Sequence, residues 1–293
     1  MTITRGIETP MTPTRVQRPA RRTEPHPPRL DSRARPSTPG EDRPRPRPVD
    51  LTAWLADAPG PELPLPLVPA PPAAGTGAGA GRRVAMIGGN AHRDHPDLVR
   101  ADVIAWPGGR YLRPDERSTA HASLLVGQGV VHARGLVPAA TLLLAAVGSP
   151  DANGADLQIA KAVRWAVVGG ADVVVLPFGR QRLGRRLTTT LHAAMAEGVQ
   201  VFAAAGDLGP EALAFPASIT GVVAVTAHDG VQLLPQCSQY ADLAAPGFDV
   251  PGAGLRTRAR LQGSAVAAVL AAGSHLAWCE AGARSGLPSR TEA

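Results

Sequence analysis

The chain has 293 residues, of which 44% are hydrophobic, 18% charged and 3% aromatic, with a formal net charge of +6. This length permits one large domain or two small ones, and the hydrophobic fraction excludes a wholly disordered chain. With only two cysteines, Cys237 and Cys279, the sequence contains neither a disulfide framework nor a cysteine-based metal site.

The N-terminal segment, residues 1–81, is predicted to be a disordered tail that ends in a Gly/Ala linker. Residues 1–80 hold 18 of the 30 prolines, and residues 1–50 hold 11 arginines against 6 acidic residues. Most of the net positive charge therefore belongs to the tail. Such a segment is typical of a solvated linker, and the alternative is a weak, salt-sensitive contact with an acidic partner. Residues 281–293 are predicted to form a disordered C-terminal tail.

No targeting or membrane segment is predicted. The basic N-terminal residues are not followed by an apolar stretch of the kind found in secretory signals. The apolar runs at 139–147 and 265–278 are too short to cross a bilayer. We therefore expect a cytoplasmic protein with no membrane span, and no nucleic-acid partner.

From residue 82 onward, short apolar runs alternate with helical stretches. This pattern predicts βαβ units, a mostly parallel central sheet and helices on both faces of that sheet. Functional groups should then gather at the carboxyl ends of the strands. The runs are RVAMIGG, TLLLAAVG, ADVVVLPFG, VQVFAAAGD and GVVAVTA, and the helical stretches are 118–129, 155–168, 186–197 and 264–278.

Seven motif blocks in this region, in the same order, resemble those of the subtilisin-like serine peptidases. The first reads VAMIGGNAHRDHPDL (84–98), the second begins HASLLVGQG at residue 121, and the last reads GSAVAAVLAAG (263–273). The resemblance implies the three-layer α/β fold of that family over residues 82–280. The four remaining blocks are GGADVVVLPFG, GVQVFAAAGDLG, FPASITGVVAVTAHD and CSQYADLAAPG.

Most of the family's catalytic positions are occupied by other residues here. The resemblance places Gly88 where the family has its catalytic Asp and Ala265 where it has the nucleophilic Ser. Asp207 stands in place of the oxyanion-hole Asn, and Pro177 in place of the Ser of the substrate-flanking strand. His121 alone keeps the family's residue, the general base.

Each replacement removes a step of acyl transfer. Ala265 has no oxygen that could attack a carbonyl, and Gly88 cannot hold an imidazole in one tautomer. A carboxylate at Asp207 would repel the oxyanion that this position stabilises in the family. Pro177 has no N–H for pairing with an extended substrate.

Ser264 precedes the Ala-rich run and is predicted to cap the last helix, with its hydroxyl bonded to an N2 or N3 amide. A catalytic Ser264 is the less favoured interpretation, because a shift of one residue turns a helical side chain by about 100°. His121, without its Asp and Ser partners, is interpreted as a packed residue rather than a base.

A different site near the first motif is the remaining alternative. The HRDH sequence (92–95) mixes metal-ligating residue types, but no third or fourth ligand stands at suitable spacing, so no metal is predicted. No glycine-rich segment matches a phosphate or dinucleotide fingerprint, so no cofactor is predicted. The acidic residues that flank this region are Asp94, Asp97, Asp115 and Glu116.

Two functions follow from these observations. The first is a catalytically degenerate subtilisin-like domain that binds a peptide or partner protein. The second is a serine-type peptidase or other hydrolase with a rearranged site that uses His121. The FPAS segment also predicts a cis peptide bond between Phe215 and Pro216, because the matching family segment has one.

Overall fold

The structure, a computed structural model, describes residues 49–50, 55, 63–71, 77–182 and 184–280. The strands are β1 (Val49–Asp50), β2 (Arg83–Gly88), β3 (Val103–Ala105), β4 (Ala133–Arg134), β5 (Thr141–Ala146), β6 (Val173–Leu176), β7 (Gln200–Ala204), β8 (Val223–His228), β9 (Leu243–Pro246), β10 (Val250–Ala253) and β11 (Arg258–Leu261). The helices are α1 (Glu116–Val126), α2 (Ala155–Val168), α3 (Arg185–Ala196) and α4 (Ser264–Glu280).

Seven of these strands form one sheet in the order β3-β5-β2-β6-β7-β8-β9, and every neighbouring pair is parallel. The order reverses between β2 and β6. The chain passes from β2 to the edge strand β3, returns to β5 beside β2, and then crosses to β6 on the other side of β2. In a parallel sheet all carboxyl ends lie at one edge. The residues after β2, β6 and β7 are therefore neighbours in space.

Both faces of the sheet are covered, as the unbroken apolar runs predict. Along β2, Val84 and Met86 belong to the hydrophobic cluster formed with α1 and α4, whereas Ala85 and Ile87 belong to the cluster formed with α2 and α3. The prediction of a three-layer α/β fold is confirmed.

Helix α4 is the central helix of its layer, and its sequence accounts for that position. All seven residues from Val266 to Ala272 are buried. A helix that is apolar all round must be enclosed, and small alanines let it lie close to the sheet. It contacts β6, β7, β8 and β9 as well as α1.

The short segment 66–68 lies along β9 at one edge of the sheet. Leu67 forms a parallel bridge with Ala244, the Val68 N–H donates to the Ala244 carbonyl at 2.8 Å, and the Ala244 N–H donates to the Pro66 carbonyl at 2.9 Å. Further upstream, β1 pairs with β4. These contacts lie inside the segment 1–81 that composition assigns to a tail, most of which is outside the described residues. The domain boundary at residue 82 stays a prediction.

Two other expectations concern local features. The Phe215–Pro216 peptide bond is cis, as the FPAS segment predicts. None of the helices within the described ranges is both long enough and apolar enough to cross a membrane. The predicted C-terminal tail, 281–293, lies outside the described residues.

Candidate active site

Gly88 ends β2, and the parallel register places it beside Pro177, which follows β6. A Cβ atom built on Gly88 would meet only the Pro177 ring, at 3.6 Å from Cγ and 4.0 Å from Cδ. The position therefore has room for a carboxylate side chain but carries none. The next residue, Gly89, has no such room, because a Cβ there would overlap the side chains of Asp115 and Ser118.

His121 lies on α1 and is only 3% exposed. Burial, and to a smaller extent the nearby Arg117 cation, lower the pKa of its imidazole from 6.5 to about 3. Among the described residues, none hydrogen-bonds to the ring. His121 is therefore a neutral side chain at pH 7, with no carboxylate that would stabilise an imidazolium.

Helix α4 begins at Ser264, and Ala265 is its second residue. Ala265 is half-buried and its methyl group packs against the core. The Ser264 Oγ atom accepts a hydrogen bond from the Gly206 N–H at 3.1 Å. The prediction that this hydroxyl caps its own helix is therefore wrong; instead it joins the helix to the loop after β7.

The cap of α4 is Asp207. Its Oδ1 atom accepts a hydrogen bond from the Ser264 N–H at 2.9 Å and another from the Cys237 Sγ at 3.1 Å. A carboxylate at this place is favourable, because a helix N-terminus carries a partial positive charge. The residue that the family resemblance places at the oxyanion-hole position is thus hydrogen-bonded to the N-terminus of α4.

Cys237 is 1% exposed and is a free cysteine. Burial, together with the hydrogen bond to Asp207 and the charge of Asp207, raises the pKa of its thiol to about 12. The thiol therefore stays protonated and acts as a donor. Local sequence gives no signal for this contact, since 30 residues separate the two partners.

Asp97, in the HPDL motif, is fully buried and is occupied by backbone contacts. Its two carboxylate oxygens accept hydrogen bonds from the four successive N–H groups of residues 130–133, at 2.7–3.3 Å. The rings of His95 and His132 pack nearby, 5.6 Å apart. Within the described ranges, no three His, Cys, Asp or Glu residues are arranged to hold a metal ion. Asp115 likewise caps α1, where it accepts from the Ser118 N–H.

The backbone after β6 offers few free amides for pairing with another strand. Pro177 has no N–H, the Phe178 N–H donates to the Leu176 carbonyl at 2.8 Å, and the Arg180 N–H donates to the Phe215 carbonyl at 2.9 Å. Of residues 177–180, Gly179 alone has an amide without a hydrogen bond to the described residues. Strand pairing with a substrate at this place is therefore reduced.

A cleft of about 590 Å³ lies at the same edge of the sheet. Leu208, which follows Asp207 in sequence, lines this cleft together with residues 151–153 and 179–182. Arg180 in this cleft is 6% exposed and is paired with Asp156 at 2.8 Å. Its guanidinium also stacks over the Phe215 ring, 4.9 Å from the ring centre.

The carboxyl edge thus brings together Gly88 with Pro177, and Asp207 with Ser264 and the start of α4 that carries Ala265. His121 lies on α1, whose first turn packs against Gly89. Asp207 and Ser264 form hydrogen bonds within the protein. Gly88, Pro177 and Ala265 have no polar side-chain atom, and the His121 ring has no hydrogen bond to the described residues. No nucleophile, base and orienting carboxylate are hydrogen-bonded in series among the described residues.

The chain is similar to known proteins in both sequence and fold. The model of the subtilase family matches residues 88–281. Subtilisin BL of Lederbergia lenta is 31% identical over 190 residues, which cover 61% of this chain and 70% of that protein. The alkaline protease of Shouchella clausii is 30% identical over 190 residues, which cover 61% of this chain and only 49% of that protein. A structure of the protease domain of PatA superposes with a TM-score of 0.63 at 25% identity, over 72% of this chain and 84% of that one.

Proposed function

Because the chain belongs to the subtilase family, we propose that it is a catalytically degenerate member whose cleft binds a peptide or a partner protein. One observation carries the proposal: Ala265 stands where the family resemblance puts the nucleophile. A methyl group has no lone pair with which to attack a carbonyl, so no acyl-enzyme can form at that residue.

The surroundings of Ala265 support the same conclusion. The Asp207 carboxylate binds the Ser264 N–H, so a negative charge occupies the region where a tetrahedral oxyanion would need donors. A buried His121 with a pKa of about 3 is a weak base. Peptide binding is supported by the cleft itself. It is also supported by the relatives, which are proteases and therefore act on polypeptides.

The alternative is a serine-type peptidase or other hydrolase with a rearranged site. The specific observation in its favour is that His121 is retained and neutral, so one ring nitrogen is unprotonated at pH 7. Ser264 is the hydroxyl at the start of α4, yet its Oγ accepts from Gly206. A rearranged site would need this bond to break.

The first experiment measures turnover. The native chain and Ala265→Ser are incubated with a fluorophosphonate probe and with an activated peptide anilide. We expect neither labelling nor hydrolysis above background in either chain, since restoring the hydroxyl leaves Asp207 and the missing carboxylate at residue 88 in place. The triple variant Gly88→Asp, Asp207→Asn, Ala265→Ser is expected to give at most a trace. Native turnover that disappears in His121→Ala would overturn the proposal.

The second experiment measures binding. Leu208, 44% exposed, lines the cleft, whereas Val231, 77% exposed, lies on the loop after β8. Spotted peptide libraries are probed with the native chain, Leu208→Asp and the control Val231→Asp. Peptides selected by the native chain should be lost by Leu208→Asp and kept by Val231→Asp. Equal retention by both variants would place any peptide contact outside the cleft.

A further inference from the structure

A second surface, on the opposite side of α2 and α3 from the sheet, has properties that the proposed function does not use. The outer faces of these two helices enclose a groove with two connected parts of about 520 and 340 Å³, which share Arg164, Thr189 and Thr190. We call it the α2–α3 groove. Its larger part is lined by the cations Lys161, Arg164, Arg185 and Arg186, and its smaller part by Val168 and Glu197.

The four cations of the groove are exposed in the described part of the chain. None of them forms an ion pair there, and no acidic residue lines the larger part of the groove. Asp156, in the first turn of α2, is committed to Arg180 at 2.8 Å. Glu197 lies in the smaller part, at the far end of α3.

The cations are also placed where they destabilise their own helices. Arg185 and Arg186 are the first two residues of α3, where the helix dipole disfavours positive charge, and no acidic residue stands in that turn. Lys161 and Arg164 are three residues apart on α2, which makes two like charges neighbours. This arrangement of cations does not stabilise the folded chain. A bound external anion would offset the repulsion between them.

We propose that the α2–α3 groove binds an acidic polypeptide segment of a partner protein. Carboxylates would pair with the four cations, and an apolar side chain would cover Val168, which is 89% exposed. No aromatic residue lines the groove, so it lacks the stacking surface that single-stranded nucleic acids use.

Segments of the chain outside the described residues do not match the groove. Residues 1–50 carry 11 arginines against 6 acidic residues, and residues 281–293 carry two arginines and one glutamate. Residues 51–62 carry two acidic residues and no cation, but Leu55 among them is buried in the cluster with α1 and α4, on the other face of the sheet. Charge complementarity therefore points to a separate, acidic chain.

The experiment uses the fact that Lys161 is the one lysine of the sequence. The full chain is mixed with a fluorescent twelve-residue peptide of glutamate and leucine, and a carbodiimide is added to join carboxylates to amines. Mass spectrometry should find the peptide on Lys161. Lys161→Arg keeps the charge and should bind the peptide without coupling at this position. A peptide with glutamine in place of glutamate should neither bind nor couple.

Affinity is then measured by fluorescence anisotropy at physiological salt. Arg185→Gln/Arg186→Gln should weaken binding by about tenfold, because two exposed ion pairs with the peptide are lost. The matched control Arg21→Gln/Arg22→Gln removes the same charge from the Arg-rich segment and should change affinity by less than about twofold.

Equal weakening in the two double variants would overturn the proposal, since binding would then be nonspecific attraction to net charge. Tighter binding of a twelve-nucleotide single strand, or of anionic phospholipid vesicles, than of the peptide would also overturn it. Because removal of the two arginines relieves repulsion in α3, the variant is expected to fold, and an unchanged circular dichroism spectrum checks this.

Discussion

Helices α3 and α4 begin in opposite electrostatic surroundings. The start of α4 has a carboxylate, Asp207, bonded to its Ser264 N–H at 2.9 Å. The start of α3 has no acidic residue in its first turn and adds Arg185 and Arg186 to the positive end of the helix dipole. Internal contacts thus neutralise the N-terminus of α4, which the family resemblance associates with catalysis. The N-terminus of α3, on the outer face, keeps its positive charge available to a partner.

The same contrast extends to the groups around each helix. At the carboxyl edge of the sheet, His121 is buried and neutral, and the Cys237 thiol donates to Asp207. On the outer face, Lys161 and Arg164 are exposed and form no ion pair with the described residues. Polar groups that bond to one another stabilise the fold, and polar groups left unpaired at a surface are available for binding.

The largest expected effect concerns the buried imidazole at the carboxyl edge. The pKa of His121 is about 3 in the folded chain and 6.5 when exposed, so the unfolded chain takes up the proton first. Stability is therefore complete above pH 6.5 and is lost as the pH falls towards 3, by about 1.4 kcal/mol per pH unit and about 5 kcal/mol in all. Urea denaturation from pH 7 to pH 4 measures the slope.

His121→Gln should reduce that slope by one proton, because the unfolded variant no longer takes up a proton at this position. Titration of the ring by NMR gives a direct check. A His121 resonance that titrates between pH 6 and 7 would contradict the buried, neutral state.

The next effect tests how tightly Asp207 is held against the start of α4. Gly263 has a φ of +102°, and a Cβ there would lie 2.5 Å from the Asp207 Oδ2. Gly263→Ala should lower the free energy of unfolding by about 3 kcal/mol, through backbone strain plus this clash. Denaturant titration measures it.

Gly209→Ala is the matched control, since its φ is +109° and no atom lies within 4 Å of the added Cβ. Its free energy of unfolding should fall only by the cost of backbone strain, about 1 kcal/mol. If the two glycine variants are equally destabilised, Asp207 is not packed against this turn.

A smaller effect is expected from removing the Asp207 charge. Asp207→Asn should destabilise the chain by about 0.5–1 kcal/mol, because the helix dipole loses its anion. It should also lower the pKa of the Cys237 thiol from about 12, although burial, the largest cause of the shift, keeps it above 9.

Thiolate absorbance near 240 nm during a pH titration reports this pKa, with Cys279→Ser in both chains so that a single thiol is observed. A Cys237 pKa that is the same in the two chains would mean that Asp207 does not accept the thiol hydrogen bond.

The smallest effect has the opposite sign. Arg185→Gln should stabilise the chain by about 0.3–1 kcal/mol, because it removes a positive charge from the N-terminus of α3. The gain should shrink at high salt, since exposed charges are screened. Thermal denaturation at two salt concentrations measures it, with the exposed turn residue Arg256 changed to Gln as the control. A loss of stability on Arg185→Gln would show that the arginine has an internal partner.

The central elements of the fold were predictable because buried parallel strands are unbroken apolar runs. The predicted run RVAMIGG corresponds to β2, and the predicted helix 155–168 has the bounds of α2. Strand β3 was not predicted, since it has three residues at the sheet edge and its Ile104 is 45% exposed. Short edge strands have too little burial to give a pattern.

The identity of the residues at the candidate site followed from motif spacing, but their contacts did not. Ser264 bonds to Gly206, 58 residues away, and Asp207 bonds to Cys237, 30 residues away. Local sequence carries no signal for a partner at such a distance. Local sequence does not reveal the α2–α3 groove either, because its cations come from two helices and converge only after folding.

The segment that lies along β9 has a consequence for self-association. An uncovered edge strand presents a row of free N–H and C=O groups to which another chain can add a strand. In this fold, residues 66–68 take up part of that row at Ala244. Removing residues 1–71 would uncover the β9 edge, so a chain shortened in this way is expected to aggregate even if its core still folds. Size-exclusion chromatography of chains that begin at residues 60 and 72 would separate the two cases.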